Sequence, residues 1–470
     1  MWSGSSIGRR AFLTGTLATG AAALTTGAAG RGVQSTLRKH VYDANVREID
    51  LGGPIVKTWV YGDRLPGKEL RVRAGEPVEV RLKNHLPADS TIHWHGLRIA
   101  NAMDGVPGVT QDPVRPGEEY RYVITPPDAG TFWLHSHGQL QTDRGLYAPL
   151  IVDDPDEPGD YDHEWIIVLD DWLDGTGTNP EEVFHHLRSG GHHGGDYDDP
   201  CLGHLGMHLG DVHDYAYYLI NGRVPEAPRT FTGRPGQRVR LRIINAAADT
   251  IFRVALGDHR FRVTHTDGFP VRQRETQSLL LGMSERIDAI VELGDGVFPL
   301  VAHPEGKHGT AMAVVRTSGG AAPGPHAHPR ELDTCPLLGT GFVATDDVTL
   351  TGRPDREHDA VLTGDMHHFI WKINDAVFGE HTPLPVRSGE GVRLRYVNRT
   401  MMPHPMHLHG HTFQVINPDG GFGPRKDTAL VPAKSAVDAF FVADNPGDWV
   451  THCHNEYHMA AGMMTTVVYT

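Results

Sequence analysis

The chain has 470 residues and a formal net charge of −15 at pH 7, with no long runs of Lys or Arg, which argues against a general nucleic-acid or anionic-membrane binder. An apolar content of 39%, with 55 Gly and 33 Pro and no long apolar run beyond the leader, predicts a soluble, strand-rich and turn-rich protein of roughly two to four domains. Three cysteines, Cys201, Cys335 and Cys453, are too few for a disulfide scaffold.

Residues 1–30 place Arg9-Arg10-Ala11-Phe12-Leu13-Thr14 ahead of the small-residue stretch LATGAAALTTGAAG, the layout of a twin-arginine export signal. They are expected to stand outside the fold. They are also expected to send an already folded protein to the periplasm, the cell envelope or the outside.

Three segments further along align without gaps: RAGEPVEVRLKNHLPADSTIHWHG ending at Gly96, GRPGQRVRLRIINAAADTIFRVALG ending at Gly257, and RSGEGVRLRYVNRTMMPHPMHLHG ending at Gly410. In each, a glycine (Gly75, Gly236, Gly389) stands nine residues before an asparagine (Asn84, Asn245, Asn398), and the closing glycine follows twelve residues later. The residues between alternate apolar and polar, the period of a half-buried strand. The chain therefore reads as all-β, with three consecutive Greek-key β-sandwich units at 31–155, 156–325 and 326–470. The turn-rich stretches IVDDPDEPGD (151–160) and TSGGAAPGPHAHPR (317–330) mark the passages between them.

A second matching segment closes each unit: DAGTFWLHSHG, GDGVFPLVAH and NPGDWVTHCHN. The outer units carry paired histidines at matching places, His93/His95 with His407/His409 and His135/His137 with His452/His454. The middle unit has Val254, Leu256 and Val301 at the corresponding positions, leaving His303 as a surface or packing residue. With 31 histidines in the chain, about two His-x-His pairs arise by chance, and His326-Ala-His328 in the linker is read as one of these. Four pairs at matching places are different in kind. Residues i and i+2 of a strand share a face, so each pair turns two imidazoles toward one point. Eight neutral nitrogen donors from two units are enough for several transition-metal ions.

Cys453 lies between His452 and His454 and so faces the other way, into the third unit, which also holds His404, His458 and Met463. One cysteine, two histidines and a methionine are the ligand set of a blue-copper electron-transfer site. A nucleophilic Cys–His enzyme leaves the methionine and the eight other histidines without a role. Structural zinc leaves the paired histidines without one.

In order, HWHG, HSHG, HPMHLHG and HCHNEYHMAAGM resemble the four copper-binding signatures of the multicopper oxidases. The chain is similar to three-cupredoxin-domain, bacterial laccase-like members over essentially all of its mature length. The resemblance implies cupredoxin-like domains and copper as cofactor, four ions per chain. It implies a type 1 copper on His404, Cys453 and His458 with Met463 as axial ligand, and a type 2 copper on His93 and His407. The type 3 pair would be held by His95, His135, His137, His409, His452 and His454. The activity implied is oxidation of phenols, aromatic amines or metal ions, one electron at a time, with dioxygen reduced to water. A monomer is expected, without nucleic-acid partners.

Cys453 is then expected to open the electron path, because its neighbours His452 and His454 bind the cluster. Asp104, in AMDGVP, matches an acidic residue that the family uses for proton delivery. Glu456 occupies a place where plant and fungal members carry Asp or Glu, whereas Met459 stands where some bacterial relatives carry glutamate. A copper-homeostasis factor that oxidises or sequesters cuprous ion is the alternative. A copper nitrite reductase relative would lack the trinuclear cluster, against the HCH segment and the full set of pairs.

One stretch stays outside this scheme. Residues 185–215 (HHLRSGGHHGGDYDDPCLGHLGMHLGDVHDY) hold seven histidines with Asp196, Asp198, Asp199 and Asp211. The composition predicts a flexible insertion that binds metal only incidentally, rather than a copper-capturing lid. Nothing in the sequence sets the separation of Cys201 and Cys335, so a bridge between them stays open at this point.

Overall fold

The alternating segment of each repeat forms a strand: Val78–Asn84, Arg238–Asn245 and Gly391–Asn398. Each strand follows a turn whose glycine has φ of +76°, +80° or +85° (Gly75, Gly236, Gly389), a region that costs an L-residue steric strain. The closing asparagines do the same work three times. Oδ1 of Asn84, Asn245 and Asn398 accepts from the backbone N–H two residues on, at 3.0, 3.1 and 2.8 Å. Each Nδ2 donates to a carbonyl four or five residues on (Ala88, Thr250, Met402) and to one from a separate segment (Val114, Leu281, Val431). An asparagine has both the acceptor and the two donors this knot requires, which is why the residue type recurs.

In this computed structural model, residues 37–157, 159–191 and 197–470 are described. The twin-arginine segment and His192, His193 and Asp196 of the His-rich stretch lie outside them. Six sheets form three sandwiches. The first pairs a four-stranded sheet built on Arg38–Asp50 and Val78–Asn84 with a second built on Gly130–His135 and Tyr147–Asp153. Their inward residues, among them Val80, Leu82, Tyr122, Trp94, Phe132 and Leu134, share one core. The middle sandwich has two six-stranded sheets, and the third a six-stranded and a five-stranded sheet. In all three the repeat strand pairs in parallel with the strand that opens the unit: Arg38–Asp50, His163–Trp172 and Arg356–Asp365. The fold class read from the repeat is therefore the one observed. Leu337–Leu338 still pairs with Ser278–Leu281 of the middle sandwich, so the chain passes to the third later than residue 326.

The His-rich stretch corrects its expectation. It begins inside a helix, Pro180–Arg188, capped by Asn179 through the N–H of Glu182, with Pro at the first turn. Residues 197–215 are packed rather than loose. Leu202, Leu205 and Leu209 are buried with Ile251, Met283 and Leu430, Arg253 holds Asp199 at 2.9 Å, and Cys201 is bridged to Cys335. The leucine spacing within CLGHLGMHLG carried this signal, masked by glycine and histidine.

Arg286 ties the three sandwiches together. It donates to Asp427 of the third at 2.7 and 2.5 Å, to the carbonyl of Thr131 of the first at 3.2 Å, and to that of Ser284 in its own unit at 3.1 Å. Lys426 lies 3.0 Å from Asp267 and 3.2 Å from Glu285 beside this pair, all with side chains 0–1% exposed. Removing one partner of such a pair strands the other charge in low dielectric. Arg286→Leu is therefore expected to lower stability by about 3–5 kcal/mol, read as a fall in the denaturation midpoint. A midpoint equal to the wild type would contradict this account.

Candidate metal centre

The predicted ligand strands meet where the first and third sandwiches face each other. His93–His95 pairs antiparallel with Gly130–His135, setting His93 opposite His135. His404–Leu408 pairs with Asp448–Cys453, setting His407 opposite His452 and Met406 opposite Cys453. The eight paired histidines are all buried. Their ligating atoms form the groups His93/His95/His407, His95/His135/His454 and His137/His409/His452, each within 4.8 Å. The first and third sandwiches contribute to every group, so none exists without both.

Cys453 faces away from this cluster, as alternation along a strand requires. Its Sγ lies 3.6 Å from Nδ1 of His404 and 3.6 Å from Nδ1 of His458, and these two nitrogens are 3.1 Å apart. Met463 is wholly buried in the same core, and its carbonyl accepts from the Cys453 N–H. His458 is presented by the short helix Glu456–Ala460, whose N-cap Asn455 accepts from the N–H groups of Tyr457 and His458. The Trp371 ring lies 4.0 Å from that of His458, centroid to centroid.

Whether these residues suit a metal is decided by their hydrogen bonds. His93 Nδ1 is held by the Asp104 carbonyl at 2.9 Å, His135 Nδ1 by that of Ser136 at 2.8 Å, and His407 Nδ1 by that of Asp427 at 2.9 Å. In each of these rings Nε2 is buried without a partner. His95 is reversed: Nε2 donates to Asp427 at 3.1 Å, and Nδ1 is the unpartnered atom. His409 Nδ1 donates to Asp104 Oδ2 at 2.9 Å and His452 Nδ1 to the Cys453 carbonyl at 2.9 Å. Their Nε2 atoms therefore face each other at 3.0 Å as two lone pairs, an arrangement that calls for a cation between them. Both ring nitrogens of His454 are unpartnered. Around Cys453, His404 Nε2 meets the Thr400 hydroxyl at 2.8 Å and His458 Nε2 meets Asp211 at 2.6 Å, leaving both Nδ1 atoms directed at the thiol.

Burial holds His95, His135, His137, His404, His409 and His454 well below the ordinary imidazole value, and His452 down to about 3. Neutral rings are the form that ligates. A thiolate with two imidazoles and a thioether, beside imidazole-only groups, is a copper donor set. His303 stands apart on the middle sandwich, its ring 6.2 Å from that of His328, and belongs to none of these groups.

Asp104 lies among the cluster rings, Oδ1 3.2 Å from His93 and Oδ2 2.9 Å from His409. Glu456 is buried beside Thr142, whose hydroxyl is 3.2 Å from His135 Nδ1. Sequence reasoning missed the residues that hold these rings. Asp427, Arg286, Thr400 and Thr142 have no motif, and Asp211 falls in the stretch expected to be a flexible insertion. Thr400 and Thr142 lie only four and seven residues from the rings they meet, whereas Asp427 reaches His95, Asp211 reaches His458, and Arg286 acts through Asp427, all by tertiary contacts.

Two variants test the separation of the sites. Cys453→Ser is expected to lose the intense thiolate-to-copper absorption and about one copper ion per chain while the histidine groups keep theirs. Asp427→Ala, which releases His95 and loosens Arg286, is expected to weaken metal binding by the cluster by about 10–100-fold. Copper analysis with optical and spin-resonance spectra reads both, and an unchanged blue band in Cys453→Ser would refute the assignment of the thiol.

Known proteins share this arrangement. Multicopper oxidase family models match residues 45–157, 164–320 and 352–470. The chain is 47% identical to Multicopper oxidase MmcO of Mycobacterium tuberculosis, with 90% of this chain and 85% of that protein covered. It is 28% identical to a Copper resistance protein A homolog of Pseudomonas syringae pv. tomato, covering 89% and 90%. Among solved structures, Lac15 from a marine microbial metagenome superimposes with a TM-score of 0.64 at 32% identity, covering 92% of this chain and all of that one. Fet3p, a multicopper oxidase that functions in iron import, shares the fold with a TM-score of 0.80 at 21% identity, covering 92% and 90%. On the strength of these matches and the copper donor set, the chain belongs to the multicopper oxidase family and is an oxidoreductase that uses copper and oxygen.

Proposed function

We propose that the protein is a laccase-type oxidase that removes electrons singly from phenols and aromatic amines and reduces dioxygen to water with four copper ions. In this reading His404, Cys453, His458 and Met463 hold the type 1 ion, and His93 and His407 the type 2 ion. His95, His135 and His454 hold one member of the type 3 pair, and His137, His409 and His452 the other. The observation that carries the reading is the set of buried lone pairs aimed at one another across two sandwiches, with the opposite ring nitrogens tied to the chain. Copper at these places would supply the one-electron carriers and the centre where dioxygen is reduced.

The chain does the positioning. Cys453 is bonded through its own backbone to His452 and His454, so the shortest covalent route between the two sites begins at its sulfur. Asp104 fixes the rings of His93 and His409 and offers its carboxylate as a proton carrier beside them. Glu456 holds a proton at a buried carboxyl, pushed up to about 8 by burial against a hydrogen bond with Thr142. From there it serves the cluster on the side of His135.

A second reading, oxidation of cuprous ion in copper homeostasis, is favoured by one feature. His404 and His458 are 0% exposed, and Asp211 covers the outer nitrogen of His458, which suits a small donor better than a bulky ring. Relatives that bear the name Copper resistance protein A are compatible with it. We also propose export by the twin-arginine route to the periplasm, envelope or outside, and a monomeric state. No helix among the described residues is long and apolar enough to cross a membrane.

Under air, the copper-loaded protein is expected to oxidise about four phenol molecules per dioxygen without releasing peroxide. Peroxide as the main product would sink the reading, and oxidation of cuprous ion alone would select the second one. Glu456→Gln is expected to slow dioxygen consumption on the order of ten-fold or more while anaerobic reduction by the donor keeps its rate. Arg9→Lys with Arg10→Lys is expected to leave the protein in the cytoplasm on fractionation, and full export of that variant would refute the route.

A further inference from the structure

The three repeats build the same asparagine knot but put different residues beside it. Two positions after the asparagine stand Leu86 in the first unit, Ala247 in the second and Thr400 in the third. Six positions after it stand Ser90, Ile251 and His404, and the residue matching Cys453 is Ser136 in the first unit and Ala302 in the second. The hydroxyls of Ser90 and Ser136 lie 3.2 Å apart, so these two positions touch in the first sandwich as His404 and Cys453 do in the third. There the slot is closed by Gln141, whose Oε1 accepts from both hydroxyls at 2.8 and 2.7 Å. In the middle sandwich it is filled by buried Ile251 and Ala302. Of the three units, only the one whose slot holds the thiol and the imidazole places a hydroxyl two positions after the knot.

The partners of that hydroxyl decide the tautomer of His404. Thr400 Oγ1 lies 2.8 Å from Asn398 Oδ1, 3.0 Å from the Met402 carbonyl oxygen, 3.2 Å from the Met402 nitrogen and 2.8 Å from His404 Nε2. The amide of Asn398 turns its oxygen to Thr400, because its Nδ2 donates to the carbonyls of Met402, Val431 and Pro432. A hydroxyl has one hydrogen and two lone pairs. Its hydrogen goes to Asn398 Oδ1 or to the Met402 carbonyl, which can only accept. Its lone pairs then receive the N–H of Met402 and an N–H at His404 Nε2. Giving the hydrogen to His404 instead would leave two oxygens 2.8 Å apart with no hydrogen between them. His404 therefore carries its N–H at Nε2 and its lone pair at Nδ1, the atom 3.6 Å from Cys453 Sγ. The two rings beside the thiol have unlike anchors: a neutral hydroxyl for His404 and the Asp211 carboxylate for His458.

We propose that Thr400, backed by Asn398, is the positioning residue that keeps the His404 lone pair on the thiol and sets the reduction potential of the type 1 ion. The inference rests on the assignment of that ion to these residues in the reading above. Thr400 acts through His404 alone. An acceptor on the outer N–H makes an imidazole a stronger electron-pair donor, which favours the oxidised state of an ion bound to its other nitrogen. Removing the acceptor is expected to raise the potential and to free the ring to turn.

The test uses the full-length chain with Thr400→Val, which keeps the shape and removes the hydroxyl, and Thr400→Ser, which keeps the hydroxyl. Nitrogen magnetic resonance of the metal-free protein with isotope-labelled histidine reads the tautomer, the His404 signals being those lost in His404→Gln. Wild type and Thr400→Ser should show Nε2 protonated and Nδ1 bare, a pattern that Thr400→Val should lose. Copper-loaded Thr400→Val should bind the type 1 ion about 10–100-fold more weakly. Its potential should shift upward and its spin-resonance splitting should change, while Thr400→Ser keeps the wild-type values. A wild-type His404 protonated at Nδ1 would overturn the proposal, and so would a Thr400→Val protein with wild-type potential and affinity, or a shift that Thr400→Ser shares. Should Thr400→Val fail to fold, the wild-type tautomer and the Thr400→Ser potential still decide. Loaded wild type without a blue thiolate band would instead defeat the assignment of the ion and leave the tautomer result standing.

Discussion

The candidate metal centre depends on most of its imidazoles having their two nitrogens assigned to different tasks. A neutral imidazole has one N–H and one lone pair, and fixing the acceptor of the first fixes the direction of the second. Backbone carbonyls do this for His93, His135, His407 and His452, and carboxylates do it for His95, His409 and His458. The lone pairs left over converge: those of His409 and His452 stand 3.0 Å apart, and the nitrogens of each group lie within 4.8 Å of one another. That would be repulsive in a protein built to stay metal-free.

The middle sandwich carries none of the grouped ligands yet supplies much of their support. Arg286 holds Asp427, which in turn holds His95. Asp211, on a segment fastened by the Cys201–Cys335 bridge, holds His458. Asp249 accepts from the side chain of Asn455, the cap of the helix that presents His458. That unit, with Val254, Leu256 and Val301 where its neighbours carry histidine, is a scaffold whose buried charges orient the paired histidines of the other two. These charged contacts are costly to bury and specific in direction, which suits positioning better than it suits stability.

Tyr457 joins two kinds of environment. The groups around Cys453 are packed among Trp371, Phe369, Tyr457 and Met463, whereas the Tyr457 hydroxyl donates to Asp143, whose other oxygen is buried without a partner. Tyr457 thus borders both regions, its ring in the apolar core and its hydroxyl on an acid. An amphipathic ring is well suited to separating a dry space from a polar one.

By itself the sequence determined the all-β class, the threefold repeat, the sites where ligand-bearing strands end and the opposite orientation of Cys453. These follow from the period of two along a strand and from residue types with no substitute: glycine for the turn, asparagine for the knot, histidine and cysteine for the metal. Resemblance to the family, rather than the residue pattern, pointed to Asp104 and Glu456. Tertiary structure alone decided the rest. Asp427 reaches His95 across 332 positions, Asp211 reaches His458 across 247 and Tyr457 reaches Asp143 across 314. No local period records such distances. The packing of residues 197–215 and the closure of Cys201 on Cys335 were hidden for the same reason: their partners lie on other segments, and their own composition resembles a linker. Ligands announce themselves because chemistry restricts them to a few residue types. The residues that aim them do not, since any buried oxygen in the right place will serve.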